Sequence, residues 1–328
     1  MPRFAMVSRR RATAVAPMRI GLAGGGSDTA DHEAAGGGAV VSAAIDLSCR
    51  ATLRFQLGTD RLAIDDRRMS LTASAAELRR AAHAHMVDTY GLPSGDYRLE
   101  TASDMPSGCG LGSSSSLVVA IVSAYARAFD LPLGRHETAD AAWRIERQRL
   151  GWPGGLQDQL AAAFGGLHLF RFGPGTRIDV DRCDDLRLIA RLQASLCLFT
   201  PGIYKSVPPT PPTMCRATTT TLRDDALRLW SDLSCSAFDA LPAILTRSHR
   251  IKAAQVPPET ASILGAVAAI ETVKAIKLCG AGPAGVFLVH HDGGFDELMM
   301  TARSRRIAGR FVPFVIAPAT PVASTGSD

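Results

Sequence analysis

The chain has 328 residues, with 36 basic and 31 acidic side chains, and is 46% hydrophobic and 20% charged. At about 150 residues per domain this length predicts two domains, each able to bury a core, and the apolar fraction excludes intrinsic disorder. Aromatic residues make up 6% and the net charge of +5 is scattered, so nucleic acid is not an expected partner.

Only four lysines occur (Lys205, Lys252, Lys274 and Lys277), so nearly all the positive charge is arginine, which suits bidentate contacts to phosphate. Seven cysteines without a CxxC pair form neither a disulfide framework nor a zinc knuckle and fit a reducing cytoplasm. There is no apolar run of about 18 residues, so no membrane span is expected. Pro17 and Arg19 interrupt the apolar stretch near the start, which argues against a signal peptide. Residues 1–14, including the run Arg9-Arg10-Arg11, and residues 321–328 are expected to be flexible tails.

In chain order, residues 19–23 read as a short strand that ends in Gly24-Gly25-Gly26. Residues 39–45 and 51–57 read as two further strands, 75–90 as a helix and 96–101 as a strand. A glycine-rich loop then leads into 113–129, a helix apolar on most faces and therefore buried. Residues 136–150 form an amphipathic helix stopped by Gly151 and Pro153, and 157–164 a short helix stopped by Gly165-Gly166 before a strand at 167–172. Gly173-Pro174-Gly175 marks the candidate domain boundary. Beyond it, 186–192 and 195–200 read as strands, and the Pro- and Thr-rich stretch 201–221 as a mobile loop or lid. Helices are expected at 222–233, 236–252, 259–270 and 295–308, and strands at 275–279, 286–290 and 311–316.

Three loops carry the chemistry. The first runs Pro106-Ser107-Gly108-Cys109-Gly110-Leu111-Gly112-Ser113-Ser114-Ser115-Ser116 into the buried helix. Alternating glycines let backbone approach a ligand, and the free N–H groups and dipole of a helix N-terminus favour an anion, here a polyphosphate. The competing reading is a serine cap on an ordinary core helix. With no lysine in the loop, a magnesium ion has to neutralise much of the phosphate charge, and the Ser114 hydroxyl suits it as a ligand.

The second loop, Gly151-Trp152-Pro153-Gly154-Gly155-Leu156-Gln157-Asp158, puts Asp158 at a helix start, where the dipole favours a carboxylate and where an aspartate is more often a cap. Glu146, near the end of the preceding helix, opposes that helix's dipole and needs a partner: a bound cation, or Arg144 or Arg149 nearby.

The third loop, Gly280-Ala281-Gly282-Pro283-Ala284-Gly285, spells GxGxxG but leads into a strand-like run. A dinucleotide fingerprint requires a helix there, so a glycine turn packed against another loop's ligand fits better. His83 and His85, two apart on a helix, diverge and cannot share a metal. His290-His291-Asp292 reads as an exposed strand end.

Together the three loops, in this order, resemble the GHMP kinase superfamily of small-molecule kinases, and most closely its heptose 7-phosphate kinase branch. The carrying segments are residues 17–28, 106–116, 145–147, 154–159, 163–166 and 277–282. The resemblance implies an α+β two-domain fold: a ribosomal protein S5 domain 2-like N-terminal domain over residues 15–175 and a ferredoxin-like C-terminal domain over 176–320. It further implies ATP as donor, Mg2+ as cofactor, and transfer to a sugar hydroxyl, with a heptose 7-phosphate or related sugar as acceptor, in a cytoplasmic monomer or homodimer.

Carried over by position, Asp158 is the catalytic carboxylate with Arg19 beside it. Pro106, Gly108, Gly110, Leu111, Gly112, Ser113, Ser114 and Ser115 hold the nucleotide, and Ser114 and Glu146 hold the metal. Gly25, Gly26, Ser27, Asp28, Gly155, Lys205 and Gly282 face the acceptor. Pro283 and Ala284 stand where the family pattern has glycine, and Lys205 precedes prolines where the family pattern continues as helix. Both departures leave room for an amino acid, an antibiotic or a specialised-pathway sugar as acceptor; a separate alternative is a sugar- and ATP-binding regulator on this fold without transfer.

Overall fold

The computed structural model describes residues 8–29, 36–58, 60–66, 73–106, 108–173, 177–202, 214–280 and 285–319. The sequence alternates strands and helices into two sheets. The first contains β1 (Arg9–Ala23), β2 (Gly38–Leu57), β3 (Arg61–Asp66), β4 (Gly95–Ser103), β5 (Leu167–Phe172) and β6 (Ile178–Cys183). Its order is β3-β4-β2-β5-β6, with β1 on the other side of β2. The helices α1 (Ala73–Tyr90), α2 (Ser113–Ala128), α3 (Arg135–Trp143) and α4 (Gln157–Phe164) belong to this half.

In the second half, α5 (Leu186–Ala194) precedes a sheet made of β7 (Leu196–Thr200), β8 (Val273–Leu278), β9 (Phe287–His291) and β10 (Arg310–Val312). The helices α6 (Arg216–Ser234), α7 (Leu241–Lys252) and α8 (Pro258–Ala268) connect β7 to β8, and α9 (Phe295–Ser304) connects β9 to β10. The order β10-β7-β9-β8, antiparallel throughout, is the β-α-β-β-α-β arrangement of a ferredoxin-like domain.

The core explains the placement of α2. Its apolar run lies on β1 and β2, burying Leu117 through Val122 along with Ala124 and Tyr125. Each such Val, Leu or Ile contributes about 1.5–3 kcal/mol by leaving water, which fixes the helix and the loop before it. The same core continues through Leu196, Leu198, Ala226 and Leu288 of the second half, so the loops between the two sheets sit on a packed seam. Among the described residues no helix is long and apolar enough to cross a membrane.

Several expectations are corrected. Residues 9–14 are not a flexible tail but the first part of β1, pairing from Arg9 opposite Gln56 to Ala14 opposite Ala51. The arginine run hides a period of two: Arg9 and Arg11 point outward, while Arg10 reaches the Ala128 carbonyl (2.7 Å) and lies over the Phe129 ring. The strands expected at 39–45 and 51–57 are one continuous β2, whose pairing with β1 shifts register between Pro17, which lacks an N–H, and Met18. β6 lies beyond Gly175 and pairs with β5, so the first sheet runs past the expected boundary, and we propose a boundary after Cys183. Residues 321–328 lie outside the described residues.

The stretch 186–192 is helical rather than a strand. The Asp185 carboxylate accepts from the N–H groups of Arg187 and Leu188, capping α5, and Leu188 and Leu192, one turn apart, are buried. α6 begins at Arg216, inside the stretch read as a loop, with the hydroxyls of Thr219 and Thr221 bonded to carbonyls four residues back. His290 and His291 are buried rather than exposed.

Burial lowers the pKa of His168 on β5 to about 4 and, with His291 beside it, that of His290 on β9 to about 4. An unfolded chain takes up these protons near pH 6.5 while the native state does not, so stability rises with pH between about 4 and 6.5. Urea denaturation is expected to give about 2 kcal/mol less stability per histidine at pH 5 than at pH 7. Equal stabilities at the two pH values would contradict this.

Candidate active site

Four chain segments meet where the two sheets adjoin. From β1, Arg19 points inward and is 5% exposed. Its Nε and Nη2 both lie 2.7 Å from Asp158 Oδ1, and its Nη1 donates to the Gly110 carbonyl at 2.7 Å. Its backbone N–H donates to the Leu111 carbonyl (3.0 Å). One arginine thus ties the loop before α2 to the start of α4. Burial works against the guanidinium charge, but Asp158 outweighs it and raises the Arg19 pKa. The Asp158 side chain remains 23% exposed, with Oδ2 beside the Gly112 backbone.

The loop Pro106–Gly112 ends at Gly112, the N-cap of α2, and no side chain caps this helix. The four serines therefore do not make an ordinary serine cap. The Ser116 hydroxyl donates to the Ala16 carbonyl (2.7 Å), and those of Ser114 and Ser115 turn to Glu146. The first N–H groups of a helix have no intrahelical partner, so Ser113, Ser114 and Ser115 present them at this end. Gly110 shows why the loop needs glycine: its φ is +88° and an added Cβ would collide with the Cys279 carbonyl. The Val286 N–H donates to the Cys109 carbonyl (2.9 Å), and Gly280 and Gly285 lie against the backbone of Gly110 and Cys109, so the described ends of the third loop pack on the first.

Glu146 belongs to a π-helical turn, Arg144–Arg149, which continues α3. The wider turn shows in the Leu150 N–H bond to the Ile145 carbonyl, five residues back. The extra residue aims Glu146 at α2, where it is 1% exposed. It accepts from Ser114, from Ser115 (2.7 Å) and from Gln159 Nε2 (2.5 Å). Arg144 and Arg149 pair with Asp140 and Asp88 instead. Glu146 thus meets neutral donors here rather than either arginine.

The turn after β1 holds the expected acceptor residues. The Asp28 carboxylate accepts from the Gly26 N–H (3.0 Å), the Gln157 N–H (3.0 Å) and Gln157 Nε2 (3.1 Å). Burial raises its pKa, opposed by the bond from the Gln157 backbone. Gly155 lies so close to Asp28 that any Cβ would overlap its carboxylate, and Gly25 faces the Gln157 amide. Ser27 is a correction: it is fully buried and exchanges bonds with the Ala39 backbone (2.9 and 3.1 Å), so it locks the turn rather than facing an acceptor. Lys205 and Gly282 lie outside the described residues.

Sequence reasoning missed four contributors. Gln157 bridges the turn after β1 to α4, and Arg147 holds the second loop through the Gly155 carbonyl (3.3 Å). Two lysines from the second half also reach the site, Lys277 on β8 and Lys252 on α7. Arg147, Gln157 and Lys277 lie inside segments that carry the resemblance, whereas Lys252 had no local signal.

Residues 72–166 match the family model for the GHMP kinases N terminal domain. The chain is 33% identical over 201 residues to the D-glycero-alpha-D-manno-heptose 7-phosphate kinase of Campylobacter jejuni subsp. jejuni, covering 58% of this chain and 59% of that protein. It is 32% identical over 147 residues to a galactokinase of Mycobacterium tuberculosis, covering 43% of this chain and 40% of that protein. The chain thus spans about three-fifths and two-fifths of these curated relatives. A solved D-glycero-D-manno-heptose 1-phosphate kinase from Bacteriodes thetaiotaomicron superposes with a TM-score of 0.77 at 25% identity, covering 94% of this chain and 96% of that one. The chain carries a GHMP kinase N-terminal domain on the GHMP kinase fold. In this GHMP domain the loop before α2, Glu146 and Asp158 fall inside the matched residues, while Arg19, Asp28 and the third loop lie outside them.

Proposed function

We propose that this protein is an ATP-dependent kinase that transfers a phosphoryl group to a hydroxyl of a heptose phosphate or a related sugar. The observation that carries the reading is the Arg19–Asp158 pair set beside an uncapped helix N-terminus. One end of the site suits the phosphates, and a partly exposed carboxylate stands across from them. The similarity to two heptose phosphate kinases and a galactokinase supports a sugar as acceptor.

In this reading the N–H groups at the start of α2 bind the phosphates of ATP. The acceptor hydroxyl faces Asp158, which takes its proton as the oxygen bonds to the γ-phosphorus. The bond from the γ-phosphorus to the β,γ-bridging oxygen breaks and ADP leaves. Arg19 holds the carboxylate in place and adds positive charge beside the transferred group. Asp28, Gln157 and Gly155 shape the acceptor side.

The donor set fits magnesium. A hydroxyl and a carboxylate, both hard oxygens, already touch at Ser114 and Glu146, and the Gln159 Oε1 beside them is buried without a hydrogen-bond partner among the described residues. When bound, the ion would neutralise phosphate charge. Among the described residues no cluster of three or more His, Cys, Asp or Glu could hold a metal, and magnesium at a nucleotide site needs few protein ligands, since phosphate oxygens and water complete its shell. Seven free cysteines agree with a cytoplasmic location.

The test is a screen of heptoses, hexoses and their phosphates with ATP, read by mass spectrometry of the products. A phosphorylated heptose or heptose phosphate is expected. Product only from an amino acid or antibiotic would replace the acceptor class, and binding of ATP and sugar without ADP would favour a regulator.

A further inference from the structure

Two of the four lysines lie buried against the site, and the mechanism above leaves them idle. Lys277 on β8 is 4% exposed, and its Nζ donates to the Gly21 carbonyl at 2.6 Å. Lys252, the last residue of α7, is 9% exposed and donates to the Gly280 carbonyl at 2.7 Å. An ammonium group has three donors, so each keeps two beyond its single neutral acceptor. Neither forms an ion pair with a carboxylate among the described residues. The acids nearby are engaged, Asp158 by Arg19 and Asp28 by Gly26 and Gln157.

A buried cation without a counter-charge is unfavourable, and a second one in the same region makes it more so. Burial, with Lys252 adjacent, brings the Lys277 pKa down to about 7, and burial lowers that of Lys252 too. Such a pair calls for an anion from outside the protein. Its position fits one, because the two carbonyls it holds, Gly21 and Gly280, belong to segments that border the Arg19–Asp158 pair and the loop before α2. That loop itself contains no lysine.

We propose that Lys252 and Lys277 bind a phosphoryl anion at the transfer site, supplying from the C-terminal half the ammonium charge that the nucleotide loop lacks. The inference rests on the kinase reading for the identity of the anion, either the transferred group of ATP or a phosphate already on the acceptor.

Lys252→Met and Lys277→Met, which keep an unbranched apolar stem, separate the two sources. If the acceptor's phosphate is held, KM for heptose 7-phosphate rises at least 10-fold while KM for unphosphorylated heptose stays within 2-fold. If the transferred group is held, kcat falls at least 10-fold with both acceptors. Folded variants with kcat and both KM values within 3-fold of wild type would overturn the proposal.

A binding experiment stands apart from turnover. Inorganic pyrophosphate is titrated calorimetrically into the wild-type protein at pH 8 in buffers of different ionisation enthalpy. Proton uptake on binding is expected, and its loss in Lys277→Met assigns it. Arg19 on β1, Asp28 in the turn after β1, Asp158 on α4, Cys279 after β8, and Lys252 and His249 on α7 are the other charged or titratable groups facing this region. Uptake that persists in Lys277→Met would count against the role given to that lysine. A wild-type protein that makes no ADP with any acceptor but takes up protons with pyrophosphate would refute the kinase reading and leave the anion site standing.

Discussion

Asp158→Asn is expected to lower kcat by about 10²–10⁴-fold, the range that a positioned general base supplies, while KM for ATP stays within about 3-fold. Asn keeps the shape of the side chain and an oxygen that can still accept from Arg19, but it cannot take the acceptor's proton. Arg19 also keeps its bond to the Gly110 carbonyl, so the loop before α2 remains tied to β1. Nucleotide affinity, measured by calorimetry, therefore reports whether the phosphate end is intact independently of turnover. Thermal melting should fall, because a buried guanidinium loses its charged partner. A variant that retains more than about a hundredth of the wild-type rate would show that Asp158 only orients the acceptor.

Local signals in the chain were enough for much of the architecture and for the side chains fixed by short-range rules. α4 and β5 fall at the expected residues because Gly165-Gly166 punctuates them. Arg19 donates both to the Gly110 carbonyl and to Asp158, which links the first loop to the second. What stayed hidden depends on contacts between distant residues. Nothing local in RRRATAVA marks a strand; its pairing with β2 does. The run after Asp185 alternates like a strand until the cap at Asp185 is weighed against it. Lys252 looks like a basic residue ending an amphipathic helix, and only the packing of α7 against β8 carries it to Gly280. The expectation that a metal ion neutralises much of the phosphate charge follows from the loop alone, and the proposal for Lys252 and Lys277 adds ammonium charge from the second half of the chain.

Glu146 gives the second large effect, and two variants are needed to interpret it. In Glu146→Ala the hydroxyls of Ser114 and Ser115 and the Gln159 amide lose their common acceptor, and each buried donor left unmatched costs about 1–3 kcal/mol. That variant is expected to melt earlier and to lose activity for structural reasons as well as chemical ones. Glu146→Gln keeps the volume and one acceptor oxygen but removes the charge. It is expected to fold with a melting temperature near that of wild type and to need about 10–100-fold more magnesium for half-maximal rate, the range seen when the shell of a metal site is altered. The magnesium titration is decisive because a purely structural role predicts a different pattern. If Glu146 served only to lock the start of α2 to the π-helical turn, the Gln variant would lose melting temperature and rate together while its magnesium requirement stayed unchanged.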